Sequence, residues 1–473
     1  MSTFSGLNTA YTGLSAARQA LNVAGQNVAN AGTEGYTRQR LETSATGPVG
    51  RTGLFASAPS AGQGVSVDGI ARLGDTYLDA RARSSAAGAG YTAIRAEVLT
   101  SLEDVLGEPG KNGISAQLHR FWGAWQDLAN QAGEAAPTNA VLQEAGALAS
   151  QLGRGYAEID ALWSRTRSEV AGMADKLNAA ASEVADLNIR IRTTLSAGGS
   201  VNELVDHRSR LTAEIAALAG GTVRDNADGT VDVFIGGNSL VSADRHRTVQ
   251  VAGANRMEEA SATRVQLEWT HRFGSAVGLE SGEMAGSLSL LAPASGGSGG
   301  AIAEAAASYD AFADKLSAAV NAVHRAGSSV DGSVGLDFFG FAPGLAPAAG
   351  LRVVPADAFG LATGKPGAGP FDGSNADALS QVSTAADSPD DVWNTFVIQL
   401  GSAARTELQR GVLAEAAANT AKDAQLSQAA VSLDEENVSL LSNQHAYQAA
   451  ARVMTAVDEM LDVLINRTGL VGR

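Results

Sequence analysis

The sequence predicts a mainly α protein with β-rich insertions, an elongated multidomain rod whose N- and C-terminal coiled-coil helices pair at one end. Three observations predict it. Apolar residues recur at sevens near both ends of the chain, a third such run occupies the interior, and the period drops to two near residue 220. This order implies a helical-bundle middle domain and a smaller β-rich part. At 473 residues the chain has room for about three domains.

Leu7, Leu14, Leu21 and Val28 set the first helix, with Phe4 and Tyr11 on a companion seam that Arg18 and Gly25 then weaken. Nearly four heptads at ~1.5 Å per residue make it about 40 Å long. Asn30-Ala31-Gly32 ends it, because Asn and Gly adopt the left-handed conformation that stops a helix. At the other end Leu433, Leu440, Tyr447, Met454 and Leu461 fall at sevens, with Ala450, Val457 and Leu464 on a second seam. Asp434, Glu435 and Glu436 occupy the first turn, where the helix dipole favours negative charge. Spacing alone fits two readings: each helix is a core helix of a larger bundle, or the two pair with each other. Two heptad helices at opposite ends of one chain favour the pair.

In the interior, Trp163, Val170, Leu177, Val184 and Ile191 repeat at sevens, joined by Met173 and Leu187, and predict a second long helix. Phe121, Trp122, Trp125 and Leu128 mark another, and Leu204 to Leu218 a third after the Gly198-Gly199-Ser200 break. Asp228-Gly229 between Thr222-Val223-Arg224 and Val231 to Ile235 reads as a tight hairpin, and alternation resumes at Val249 to Val251 and Arg264 to Trp269. Gly296-Gly297-Ser298-Gly299-Gly300 reads as a flexible joint before a helix from Ile302 to His324. Helix resumes from Val392, and Leu408, Val412 and Leu426 extend it toward the terminal heptads. The expected division is a terminal coiled coil (1–75 with 428–473), a helical bundle (76–219 with 300–327 and 388–427), a β-rich segment (220–299) and a Gly/Pro-rich outer insertion (328–387).

The chemistry points away from an enzyme. A net charge of -16 disfavours nucleic acid, which needs clustered Lys and Arg. With no cysteine, disulfides and thiolate sites are excluded. His119, His207, His246, His271 and His324 are each followed by Arg and His445 by Ala, so HExxH is impossible and structural roles account for them. The Gly296–Gly300 run matches GxSxG in form but lacks a strand-to-helix elbow. Gly110-Lys111 fails as a phosphate loop, with Val105 and Asn112 in place of Gly and Ser/Thr, and Ala227 spoils a calcium loop at Asp225 to Asp228. No cofactor or metal site is expected. No apolar run approaches the roughly 18 residues of a membrane span, and Met1 to Leu21 lacks the pattern of a Sec signal.

The most specific signal follows the first helix. Asn27-Val28-Ala29-Asn30-Ala31-Gly32-Thr33-Glu34-Gly35-Tyr36-Thr37-Arg38 resembles the N-terminal signature of the flagellar rod, hook and hook-associated proteins. Gly35 permits a sharp turn, Tyr36 can pack its ring with its hydroxyl in water, and Arg38 is free to meet acidic neighbours. Glu34 stands where the family commonly has Pro. The run from Leu433-Asp434-Glu435-Glu436-Asn437 through Gln444-His445-Ala446-Tyr447 to Asp458-Glu459-Met460-Leu461 resembles the hook-associated protein 1 (FlgK) family. So do Leu187-Asn188, Asn202 to Leu211, Asp228 to Gly237 and Leu336-Asp337-Phe338-Phe339.

The resemblance implies a structural subunit at the hook–filament junction, extracellular on the bacterial flagellum and cytoplasmic before export through the flagellar type III apparatus. It implies a ring-like homo-oligomer between hook protein and a second, FlgL-like junction protein, with a FlgN-like export chaperone on the C-terminal helix. The assembly surface is expected at Leu7, Leu14, Leu21, Val28, Asn30, Thr33, Gly35, Tyr36 and Arg38, and at Leu433, Leu440, Tyr447, Met454, Val457, Leu461 and Leu464. Both ends are expected to become ordered helix on assembly or chaperone binding. A rod or hook subunit is the near alternative, disfavoured by the long interior helices. A secreted coiled-coil adhesin is the alternative from another class, and it leaves Gly35-Tyr36 unexplained.

Overall fold

The structure is a computed structural model and describes residues 3–47 and 62–467. Helix α1 (Thr3–Asn30) leads into an antiparallel pair, β1 (Gln39–Ala45) and β2 (Val65–Arg72), that the sequence periodicity did not announce. Then come α2 (Thr76–Leu106), α3 (Ile114–Asn130), α4 (Ala135–Ser196) and α5 (Asn202–Ala219). The β-rich part holds a sheet of β3 (Thr222–Asp225), β4 (Val231–Ile235), β5 (Asn238–Ser242) and β6 (Arg245–His246), adjacent in that order. A second sheet holds β7 (Val249–Ala252), β8 (Gln266–Trp269) and β9 (Arg272–Ala276). Helix returns as α6 (Glu283–Leu290) and α7 (Ala301–His324). An irregular stretch contains β10 (Phe339–Phe341), α8 (Pro347–Gly350), β11 (Leu351–Val353) and α9 (Ser374–Ser380). The long α10 (Pro389–Ala429) and α11 (Leu433–Asp462) bring the chain back to α1.

Helix α4 is the spine. Its 62 residues span about 93 Å at 1.5 Å per residue. Trp163, Val170, Leu177, Val184 and Ile191 are all fully buried, so the interior heptads are a core stripe. The N-terminal half of α4 packs on α3 and α7, and the C-terminal half on α5 and the sheets. Each large apolar side chain sealed this way contributes about 1.5–3 kcal/mol. Asn188 joins helix to hairpin. Its Nδ2 donates to the Val231 and Ala243 carbonyls (2.8 and 2.7 Å), and its Oδ1 accepts from Val231 N and Arg208 (3.1 and 2.9 Å). Every polar group of a buried amide is thereby satisfied, which anchors the expected Asp228-Gly229 hairpin to the spine.

Two expectations need correction. The Gly296–Gly300 run is a tightly held turn, not a flexible joint. Glu304 accepts from the Ser295 and Gly299 amides (2.6 and 2.8 Å), and a Cβ on Gly299 or Gly300 would sit within 2.3 Å of a carbonyl oxygen. These glycines are there because the turn leaves no room for a side chain. Residues 328–387 do not form an outer insertion either. Phe338 and Phe339 are buried against Phe121, and Asn321 accepts from both their amides (2.8 and 2.9 Å). Leu361, Ala376 and Leu379 are buried with them, because a stretch this apolar gains more as a wall of the helical body than in water.

Helix α10 starts sharply, with Pro389 in its first turn and a capping box between Ser388 and Asp391. Trp393 seats it in the body against Tyr309 and Phe312, at ring separations of 5.1 Å. Beyond that it runs along α2, tied by Arg95 to Glu407 (3.1 Å) and Gln425 to Asp79 (2.6 Å). Leu408, Val412 and Leu426 do lie on this helix, but all three face solvent.

Candidate assembly site at the paired ends

The terminal helices pair, and they run antiparallel: Asn27 meets Glu436, while Gly6 lies against Val457. Small residues line one side of α1 at a regular alternation of four and three: Gly6, Ala10, Gly13, Ala17, Ala20, Ala24 and Asn27. Of these, Ala10, Ala17, Ala24 and Asn27 are buried. Small side chains let two helix backbones approach closely. Leu7, Leu14 and Leu21 are only half-buried, Val28 is exposed and Tyr11 more so. Of the leucine heptad, Leu21 lines a cavity with Leu440 and Leu441 of α11.

On α11, Leu440, Met454 and Leu461 are half-buried toward α1 and Val457 is 7% exposed. Leu433, Tyr447 and Leu464 stay exposed. A second apolar face, made by Val438, Leu441, Val453 and Met460, is open to solvent along the helix, each residue more than half exposed. Among the described residues, α1 is the helix that packs along α11, and much of the rest of its apolar surface is exposed.

The turn after α1 locks this pair to the body. Asn27, 1% exposed, donates to Gln39 O and Glu436 (2.9 and 3.1 Å) and accepts from Gln39 N and the Tyr36 hydroxyl (3.0 and 2.9 Å). Arg38 pairs with Glu436 at 2.7 Å and with Glu435, while its own amide donates to Ala429 O (2.8 Å). The buried Glu436 carboxylate is therefore neutralised as well as hydrogen-bonded. Thr37 N donates to Asp206 of α5 (3.1 Å), which also takes Arg72 from the end of β2 (2.6 Å). One turn thereby joins α1, β1, β2, α5 and α11.

Gly35 sits at φ +76°, and a Cβ there would meet Arg210 Cδ at 2.6 Å, so both conformation and space require glycine. Asn30 and Gly32 do not take the left-handed conformation expected of them, since Asn30 closes the helix and hydrogen-bonds locally to Gln26 and Thr33. The Tyr36 hydroxyl is not in water but on Asn27. Burial, and then the carboxylates of Asp206, Glu203 and Glu436, push its pKa up to about 12. Arg38 loses some charge stability to burial and regains more from Glu435 and Glu436, so its pKa is raised. Sequence reasoning found Tyr36, Arg38 and Gly35 but missed Asn27 and Glu436 as partners, which are 409 residues apart. Their signal was two acids directly after a helix start, which was read only as dipole compensation.

With this geometry in hand, the chain can be compared with known proteins. The family described as "Flagellar hook-associated protein FlgK helical domain" matches residues 99–339. "Flagella basal body rod protein" matches residues 7–37, which hold α1 and its turn, and "Flagellar basal body rod FlgEFG protein C-terminal" matches residues 424–467, which hold α11. The "Flagellar hook-associated protein 1" of Bacillus subtilis (strain 168) is 30% identical over 512 aligned residues, covering 100% of both chains. That of Escherichia coli (strain K12) is 26% identical over 344 residues, 70% of this chain and 59% of the relative. A solved structure of the flagellar hook junction protein FlgK from Burkholderia pseudomallei superposes with a TM-score of 0.63 at 14% identity, over 73% of this chain and 99% of that one. That last likeness is one of fold. The full-length relative, and the helical-domain match across the spine and its sheets, carry the conclusion that this chain belongs to the flagellar hook-associated protein 1 (FlgK) family.

Proposed function

We propose that the chain is a structural subunit of the hook–filament junction, assembled as a ring through the faces of α1 and α11 that it leaves open. The observation that carries this reading is the uncovered apolar face of α11, with Val438, Leu441, Val453 and Met460 aligned on a helix whose other side is already paired. Contiguous exposed apolar surface of this kind marks an interaction site. Hook protein below and a FlgL-like junction protein above are the neighbours that family membership supports. Before assembly, export through the flagellar type III apparatus with a FlgN-like chaperone on α11 fits the same surface, which needs cover in the cytoplasm. The subunit then acts extracellularly by mechanical coupling.

The test uses Val453→Asp with Met460→Asp, which leaves the Val457 seam and the Asn27–Glu436 lock in place. In cells lacking the native protein, this variant is expected to fold, yet to give no filaments and no swimming. Normal motility would refute the reading. The pairing Leu440→Asp with Leu461→Asp is expected to block incorporation too, and to loosen α1 as well.

A further inference from the structure

One imidazole bridges two arms of the irregular stretch 328–387. His324, the last residue of α7, has no exposed surface. Its Nδ1 lies 2.7 Å from Leu336 O, and its Nε2 accepts from Ala362 N at 3.0 Å. A carbonyl can only accept and an amide N–H can only donate, so Nδ1 carries the proton and Nε2 is bare. Only the neutral ring in that tautomer satisfies both. Leu336 precedes β10 and Ala362 follows β11, so the ring ties together the two arms of this segment.

The surroundings are mostly apolar or neutral. Helix α3 presents Trp125 (6.3 Å between ring centres), and the first arm presents Phe338 (5.5 Å). Helix α9 presents the neutral amide of Asn375, which already donates to Ala362 O (2.7 Å) and so holds that carbonyl away from the ring. The carboxylate that bears on His324 is Asp337, and it is committed to Arg325 at the surface. Burial holds the imidazolium form below the usual histidine range, against smaller opposing effects of the Leu336 hydrogen bond and Asp337. The folded state therefore binds less proton than the unfolded chain just below the ordinary histidine pKa. The contribution of His324 is complete above about 6.5 and is lost as pH falls through that window.

We propose that His324 is an acid-released latch: protonation sets Nε2–H against Ala362 N–H and frees the arm around residues 355–362, while the helical body stays folded. The release is local for a structural reason. A protonated ring keeps its bond to Leu336, and Asn321 keeps Phe338 and Phe339, so the first arm remains seated. The second arm loses its bond to α7, while Thr363 and Gly364 stay paired with α9 and Ser328, so the opening centres on residues 355–362 and uncovers Leu361 beside the already exposed Val354 and Phe359. The device enlarges an apolar surface in acid.

Hydrogen exchange by mass spectrometry on the full-length protein tests this, with rates corrected for the intrinsic effect of pH. Between pH about 7.5 and about 5, protection in 355–362 is expected to fall roughly tenfold or more, with peptides of α4 unchanged. His324→Gln keeps one donor and one acceptor without a titrating nitrogen and should abolish the response. Equal loss in α4 and 355–362, or an acid response that survives His324→Gln, would overturn the latch. Should that variant not fold, the wild-type imidazole titration by NMR decides: a midpoint coincident with opening supports the latch, and a ring still neutral after opening contradicts it.

Discussion

Along α4 every seventh residue from Trp163 to Ile191 is sealed, whereas along α11 the same spacing leaves Leu433 and Tyr447 exposed and Leu440, Met454 and Leu461 only half-buried. The two helices carry the same signal in sequence and differ in what surrounds them. Helix α4 has α3, α5, α7 and two sheets wrapped about it, whereas among the described residues α11 has α1 along one side and Arg38 at its start. Periodicity thus specifies that a stripe exists and in which direction it points. Whether cover is supplied is decided by the other elements, and among the described residues α11, like the exposed side of α10, lacks it.

The contrast can be broken most sharply in the spine. Trp163→Ala or Leu177→Ala should cost about 3–5 kcal/mol, read as a lowered denaturant midpoint of the monomer. Val453→Asp with Met460→Asp should leave that midpoint within about 0.5 kcal/mol, since those positions lie open in the single chain. Next in size is the lock between the ends. Asn27→Ala strands Gln39, Tyr36 and Glu436 and should cost the terminal pair about 2–3 kcal/mol, seen as faster amide exchange in α1 and β1 with α4 unaffected. Gly35→Ala, strained at φ +76°, should cost about 1–2 kcal/mol in the same assay.

A smaller effect sharpens the comparison from the side of the body. Burial pushes the Asp310 carboxyl up to about 6, the Ala348 amide bond opposes this, and Asp314 and Glu258 add repulsion. Folded Asp310 therefore holds its proton where the unfolded chain does not, so its contribution is present below about 3.8 and lost as pH rises through 6. Asp310→Asn keeps an acceptor for Ala348 N and removes the charge. After allowance for solvent at this half-buried group, it should stabilise by on the order of 1 kcal/mol above pH 6 and have no effect near pH 4, measured as Tm against pH.

How legible this was in the sequence depends on the range of the interaction. The α4 stripe, the Asp228-Gly229 hairpin and the start of α10 are local patterns, and each lies where its residues predict. The burial of Ala10, Ala17 and Ala24 on α1 was legible only as small residues at helical spacing beside the more conspicuous leucines. The β1–β2 pair was not legible, because even its nearest partners, Ala45 and Val65, lie far apart in sequence. The burial of residues 328–387 was not legible because it depends on Phe121 and Trp125 of α3, far away in sequence, as well as on Asn321 of the preceding helix. The lock was half legible: the motif named Tyr36 and Arg38, but Asn27, Asp206 and Glu436 reach them only through the fold.

The central claim is that the open face of α11 is completed by another subunit. Hydrogen exchange over residues 433–462, measured in a verified monomer and again in the assembled junction, tests it most directly. The account predicts weak protection in the monomer, where α1 and the turn after it hold the helix, and a large further rise on assembly. Strong protection of α11 already in the monomer, unchanged by assembly, would contradict it.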